Sequence, residues 1–103
     1  MGDQELLELA AKSIGGSFCW NKEGIGILSF GAKKLGKYWN PLKSDGDSAR
    51  LMTACFIDVQ FASDYVIARG PQGEVHEIFS ADRATAMRRA ITRAAAEVGM
   101  VMP

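Results

Sequence analysis

Residues 56–79 read FIDVQFASDYVIARGPQGEVHEIF, and this stretch decides the fold. The segment 56–61 alternates residue by residue between two faces, which is typical of a strand with one buried side. Two further segments, 65–69 and 75–79, are rich in β-branched and aromatic residues. The Gly-Pro-Gln-Gly sequence at 70–73 is a strong turn signal between them. The stretch therefore predicts a three-stranded antiparallel meander.

The closing segment, DRATAMRRAITRAAAEV, predicts the longest helix of the chain. Ser80 or Asp82 caps its start, and we expect Gly99 to close it because glycine favours helix C-termini. At 100° per residue its apolar side chains form one stripe, made of Ala84, Met87, Ile91, Ala94, Ala95 and Val98. Arg89 and Arg93 point away from that stripe, one turn apart.

Two shorter helices are predicted before the meander. Residues 3–13 carry apolar side chains on one face, and a glycine pair follows them. Residues 45–55 form the second helix, where Ser44 followed by Asp47 resembles a capping box. Between these helices, short apolar runs around a polar turn predict a hairpin within 17–30.

The order of these elements is helix, hairpin, helix, three-stranded meander, helix. It contains local hairpins and no β-α-β repeat, so the sheet is antiparallel and the class is α+β. We expect one domain over residues 1–103 with three helices. Its sheet has three strands, or four to five if the hairpin joins it.

The sequence GAKKLGKY at 31–38 is close to a phosphate-binding loop, G-x-x-x-x-G-K followed by Ser or Thr. Tyr38 stands in place of the hydroxyl residue that holds magnesium. Pro41 blocks the helix that has to follow such a loop. We therefore interpret residues 31–43 as a lysine-rich loop without nucleotide.

Charge and composition exclude several classes of protein. The 103 residues include 12 Lys and Arg against 12 Asp and Glu, so the formal net charge is zero. Dedicated nucleic-acid binders are usually basic, and a membrane span needs about 18 or more consecutive apolar residues, which the chain lacks. We expect no membrane partner and regard nucleic acid as the less favoured partner.

Residues that could carry catalysis or bind a metal are few. We expect Cys19 and Cys55 to be buried small hydrophobes in a reducing compartment. The single histidine, His76, has no Cys, Asp or His at ligand spacing. Asp45 and Asp47 lie at a helix start, where carboxylates favour the helix dipole. We predict no enzyme activity, no metal site and no cofactor.

Two motifs, YWNPLKSDGDSARL at 38–51 and RRAITRAAAEVG at 88–99, carry a family resemblance. The chain resembles small bacteriophage and prophage proteins with a W-N/D-P-L step, a D-G-D-A-x-R-L helix start and a closing R-A-I-x-R-A-A-A-E-I helix. It is also similar to NinX-like phage proteins and to the small phage α-β-α sandwich domain. Ser48 stands where alanine is commoner. The resemblance implies a phage or prophage product inside a bacterial cell and brings no catalytic residues.

The first motif is expected mainly to build a helix start. Trp39 would pack beneath the second helix, and Pro41 would fix the turn before it. The alternative is a shared binding surface formed by Trp39, Asn40, Asp45 and Arg50.

For function, we expect an accessory protein that acts in the bacterial cytoplasm, either as a module that binds a host or phage protein or as an inhibitor of a host system. The alternative is a nucleic-acid-binding accessory protein. It would use Lys33, Lys34 and Lys37 of the basic loop together with Arg89 and Arg93 of the last helix. The alanine-rich last helix also permits a homodimer.

Overall fold

The computed structural model describes residues 2–30, 33–37, 39–80 and 82–103, with the backbone alone at 33–37. The helices are α1 (Asp3–Ser13), α2 (Asp45–Ala54) and α3 (Arg83–Val101). The strands are β1 (Ser17–Trp20), β2 (Gly26–Phe30), β3 (Lys33–Lys37), β4 (Asp58–Phe61), β5 (Tyr65–Gly70) and β6 (Gly73–Ile78). The α+β prediction is confirmed.

The strands form two antiparallel sheets of three, in the orders β1-β2-β3 and β4-β5-β6. The predicted meander is the second sheet, joined by two tight turns. The hairpin β1-β2 is also present, but it pairs with β3 and not with the meander. The alternative in which this hairpin enlarges the meander to four or five strands is therefore wrong.

β3 corrects the interpretation of the lysine-rich segment as a loop. Residues 33–37 pair with β2, and Ile27 lies opposite Lys37. Lysines are favoured on exposed edge strands because they discourage pairing with other chains. The segment was predicted as a loop because its lysines and glycine hide the alternation of a strand. Residues 31, 32 and 38 of the phosphate-loop-like sequence lie outside the described residues.

The alanine face of α3 packs against β5 and β6, and it supplies much of the core. The buried positions are Ala86, Ala90, Ile91, Thr92, Ala94, Ala95, Ala96 and Gly99. The predicted stripe is correct at Ile91, Ala94 and Ala95 and wrong at Ala84, which is exposed. The alanine surface proposed for a homodimer is thus occupied within the chain, and the homodimer stays a prediction.

α1 lies beside α3 and runs in the same direction. Asp3, at the start of α1, meets Arg89, whereas Lys12 donates to the Met102 carbonyl oxygen at 2.9 Å. Between these contacts, Gly99 sits against the Leu9 backbone, and a Cβ there would overlap the Leu9 carbonyl oxygen. The expectation that Gly99 closes α3 is wrong, because the helix continues to Val101 and uses this glycine for close helix packing.

Candidate binding groove

A groove of about 430 Å³ opens where α1, α3 and β6 meet. Its floor is one face of α3, which contributes Arg89, Arg93, Ala96, Glu97 and Met100. These positions recur every three to four residues, so they share one side of the helix. Leu6 of α1 and Glu77 of β6 face each other across this floor.

The two arginines of the groove are held by carboxylates from its two walls. Arg89 Nη1 lies 3.1 Å from the Asp3 carboxylate on α1. Arg93 pairs with the Glu77 carboxylate on β6 and donates to the His76 carbonyl oxygen at 3.2 Å. The arginines predicted as site residues are therefore brought together, and each links α3 to a neighbouring element.

The rest of the groove divides into an acidic and an apolar part. Glu97 is half-buried and has no hydrogen-bond or ion-pair partner among the residues that the structure describes. Leu6 is buried, and Met100 remains 57% exposed at the open end. Because Arg89 and Arg93 are already paired, Glu97 leaves the groove with one uncompensated negative charge.

The residues predicted as a second binding surface build the start of α2. Trp39 is 6% exposed and packs on Phe18, with ring centroids 5.7 Å apart. Its side chain belongs to the core and offers no surface to a partner. The Asn40 carboxamide oxygen accepts from Leu42 N at 3.0 Å, and Asn40 N donates to the Asp47 carboxylate at 2.9 Å.

The start of α2 is capped by Ser44, as the sequence predicted. Ser44 is the N-cap, and its Oγ accepts from Asp47 N at 3.2 Å. The reciprocal half of a capping box is replaced, because the Asp47 carboxylate binds Asn40 N and the Arg50 guanidinium instead. Arg50 is 74% exposed in this pair, so it is the member of the cluster most open to solvent.

Arg88 joins the two motifs that carry the family resemblance. Its Nε donates to the Leu42 carbonyl oxygen at 3.0 Å, and its Nη1 lies 2.7 Å from the Asp45 carboxylate. The Arg88 side chain is only 16% exposed. The candidate site residue Asp45 therefore fixes α3 against the start of α2, and the two motifs form one structural joint.

The nucleic-acid alternative requires a basic surface, but most of the arginines that would contribute to it are paired with carboxylates. Within the described residues, the arginines paired with carboxylates are Arg50, Arg69, Arg88, Arg89 and Arg93. Each pair removes positive charge that phosphates would need. The side chains of Lys33, Lys34 and Lys37 lie outside the described residues, so that half of the alternative stays a prediction.

The nucleophilic and titratable residues lie apart from the groove. Cys55 is buried as predicted, whereas Cys19 is exposed, which corrects the expectation for that residue. Its position on β1, next to the buried Phe18, turns it to the opposite face of the strand. His76 lies on the outer face of β6, 3.2 Å from Glu74. Hydrogen bonds from Arg69 and then His76 lower the pKa of the Glu74 carboxyl.

Within the part of the chain that the structure describes, no group of three or more His, Cys, Asp or Glu side chains is placed to hold a metal ion. None of the helices in that part is long and apolar enough to cross a membrane.

Sequence reasoning missed five residues of the groove, namely Leu6, Glu77, Ala96, Glu97 and Met100. The α3 members follow the helical spacing of Arg89 and Arg93, so a helical projection of the polar face could have found them. Glu77 is an acid on the inward face of the meander, which is a second available signal. Leu6 had no signal, because nothing local to α1 indicates that it packs beside α3.

Comparisons with protein-family models, with curated proteins and with solved structures return no match. The resemblance to small phage proteins is thus carried by the two sequence motifs alone.

Proposed function

We propose that the chain is a protein-binding module that acts by occupying a surface of a host or phage protein through the groove between α1, α3 and β6. In this proposal it is a phage or prophage accessory protein of the bacterial cytoplasm, and inhibition of a host system is the consequence of binding. The single observation that carries the proposal is the combination of paired arginines, an exposed methionine and a carboxylate without a partner among the described residues, all in a groove of about 430 Å³.

The chemistry of the groove supports a protein ligand over a small metabolite. Arginine and methionine are enriched in protein interfaces, and methionine adapts its shape to a partner because its chain is unbranched. The arginines are pre-positioned by Asp3 and Glu77, so less side-chain entropy is lost on binding. Met100 offers exposed apolar contact, and Glu97 offers a charge that a partner can complement.

A matched pair of variants on α3 tests this proposal. Met100 and Val101 are 57% and 63% exposed, but only Met100 lines the groove. The variant Met100→Arg places a long cation in the groove, and Val101→Arg makes the same change on the adjacent surface. We expect the wild-type chain and Val101→Arg to capture the same stoichiometric protein from host lysate, and Met100→Arg to lose it. Capture that survives Met100→Arg contradicts the proposal.

The rival function gives a different result in a parallel measurement. A nucleic-acid binder shifts DNA or RNA in a gel at low salt, and the shift weakens steeply as salt rises. Changing Lys33, Lys34 and Lys37 together to Glu would abolish such a shift, whereas Met100→Arg would leave it unchanged. Such a result would indicate that the functional surface lies on β3 and not in the groove.

A further inference from the structure

Among the described strands, β6 pairs with β5 alone, and its other edge borders the groove. The register of the sheet identifies the backbone groups along this free edge. Phe79 N donates to the Asp64 carbonyl oxygen at 3.1 Å. Bonded and non-bonded pairs alternate along an antiparallel ladder. By the register, Glu77, Val75 and Gly73 are therefore the residues of β6 whose backbone groups form hydrogen bonds with β5. The N–H and C=O groups of the alternate residues on β6 point away from the sheet.

Those alternate residues are Glu74, His76 and Ile78, and all are exposed. β6 is the last strand in the order β4-β5-β6. Arg93 covers one group of this edge, because it donates to the His76 carbonyl oxygen. Glu77 lies beside it and points inward, and an inward-pointing charge discourages most strands from pairing with an edge. A strand whose side chains complement the charges of the groove would not meet this barrier, so the edge can accept such a strand.

We propose that the groove accepts an extended segment of a partner protein as a strand added to the free edge of β6, with a lysine or arginine of that segment facing Glu97. This inference rests on the proposed function and names the form of its partner. Strand addition uses main-chain hydrogen bonds for affinity and alternate side chains for specificity. Alternate side chains of the added strand point toward α1 and α3, where the exposed Met100 contacts an apolar group.

The charges of the groove select the side chains of the segment. Asp3 and Glu77 already pair with Arg89 and Arg93. Glu97 is the carboxylate left over, and it is half-buried. A cation beside Glu97 completes the charge balance, while a second acid there is repelled. An added strand also replaces Arg93 at the His76 carbonyl oxygen, and Arg93 keeps its pair with Glu77.

A second copy of this chain fits the edge poorly. Antiparallel pairing of two β6 edges around a two-fold axis places both helix layers on the same side of the joined sheet. α1 packs beside α3 and shares the groove with β6, so it occupies the space under the edge that the other copy's helices need. A segment that brings no helix layer of its own has no such conflict.

The test uses the full chain and a seven-residue peptide probe, N-acetyl-TVTKTLT-amide. Amide hydrogen exchange is followed by NMR at Glu74, His76 and Ile78. We expect fast exchange at these amides in the free protein and at least tenfold slower exchange at saturating peptide. A peptide with glutamate in place of lysine is expected to bind about tenfold more weakly, which is the contribution of a charge-assisted hydrogen bond. The variant Glu97→Gln should remove that difference.

Two N-methylated forms of the probe serve as matched controls. Methyl groups on alternate backbone nitrogens block one edge of the added strand, and methyl groups on the intervening nitrogens block the other. Only the form blocked on the side facing β6 should lose binding. Equal binding of both forms, edge amides that are already protected, or no binding at millimolar peptide would each overturn the inference. These outcomes concern the strand-addition model alone. The proposed function would still stand if Met100→Arg loses partner capture and Val101→Arg keeps it.

Discussion

Gly99 shows how one residue sets the distance between two elements. It lies inside α3 directly against the Leu9 carbonyl of α1, so the two backbones approach as closely as their atoms allow. Glycine within a helix is normally unfavourable, since alanine is better by about 1 kcal/mol. The fold accepts this cost because any larger residue would push α1 away from α3.

The variant Gly99→Ala should therefore destabilise the fold, although alanine is the better helix former. We expect a loss of about 1–3 kcal/mol in the free energy of unfolding, the usual range for overpacking. Gly46→Ala in α2 is the control, because its Cβ would meet only the flexible Arg50 guanidinium at 3.4 Å. That variant should gain up to about 1 kcal/mol. Urea unfolding of both proteins measures the difference, and a Gly99→Ala protein as stable as wild type would contradict the close packing.

Among the residues that the structure describes, Phe56 is the non-glycine residue with a positive φ. It follows α2 with φ of 54° in the left-handed region, and its side chain is 85% exposed. Ile57 N donates to the Met52 carbonyl oxygen at 2.9 Å, which completes a Schellman ending of the helix. Gly15 holds the equivalent position after α1, with φ of 82°. The same helix ending thus uses glycine once and an exposed phenylalanine once.

Two substitutions at Phe56 separate the effect of backbone strain on stability from the effect of the side chain. Phe56→Gly should raise the free energy of unfolding by about 1 kcal/mol, because glycine adopts the left-handed region without a steric penalty. Phe56→Ala keeps the strain and removes only an exposed ring, so it should change stability by less than about 0.5 kcal/mol. Thermal and urea unfolding of the two variants give the comparison. An alanine variant as stable as the glycine variant would assign the effect to the ring.

At the scale of elements, α2 and α3 are locked together by Arg88. The guanidinium reaches a backbone carbonyl at Leu42 and the Asp45 carboxylate, which lie at the N-terminal approach to α2. Arg50 pairs with Asp47 within one helix, and its guanidinium is 74% exposed. The two arginines therefore differ in their own burial, and only Arg88 also binds a backbone carbonyl of another segment.

Alanine substitution should reveal this distinction. Arg88→Ala leaves the Leu42 carbonyl without its donor, and we expect a loss of about 1.5–3 kcal/mol. Arg50→Ala should cost no more than about 0.5 kcal/mol, because an exposed ion pair contributes little. The measurement is the free energy of unfolding at low and at high salt. Equal effects of the two substitutions would show that Arg88 does not join the helices.

The start of α3 depends on Asp82 and gives the fold an acid-sensitive element. Its carboxylate accepts from Thr85 N at 2.6 Å, and this hydrogen bond is the main cause that lowers the pKa of Asp82 below its ordinary 3.8. A lowered pKa means that the stabilisation is fully present above pH 3.8 and is lost as pH falls through the lowered value.

The substitution Asp82→Asn tests this dependence. Asparagine keeps a capping oxygen but does not titrate. We expect wild type and Asp82→Asn to unfold similarly at neutral pH, and the variant to lose less helix stability on acidification. Asp82→Ala should be less stable than both at neutral pH. Circular dichroism during thermal unfolding between pH 2.5 and 7 provides the data, and identical acid profiles for wild type and Asp82→Asn would contradict the role of the carboxylate.

The sequence predicted the elements well where the signal is local. The meander, α1, α2 and α3 are all present, since turn residues and side-chain periodicity act over a few positions. It failed at β3, where lysines hide a strand that is defined by pairing with β2. It failed again at Gly99, because a glycine that ends a helix and one that packs inside a helix look the same in sequence.

At the scale of the whole molecule, the arrangement of elements could not be predicted. The parallel packing of α1 and α3 and the division into two sheets depend on contacts between distant segments. The groove is a product of that arrangement, so only its α3 side was available to sequence reasoning, through Arg89 and Arg93. The motif at 38–51 predicted a helix start correctly, and its buried Trp39 belongs to the core and not to a surface.

Cross-linking at Met100 can show whether the groove binds another protein. A photoreactive phenylalanine analogue replaces Met100 in one sample and Glu23, in the exposed β1–β2 turn, in another. Both are illuminated in bacterial cells, and the products are separated by mass. We predict one discrete protein adduct from position 100 and none from position 23. No adduct at position 100, or an adduct with nucleic acid there, would contradict the account.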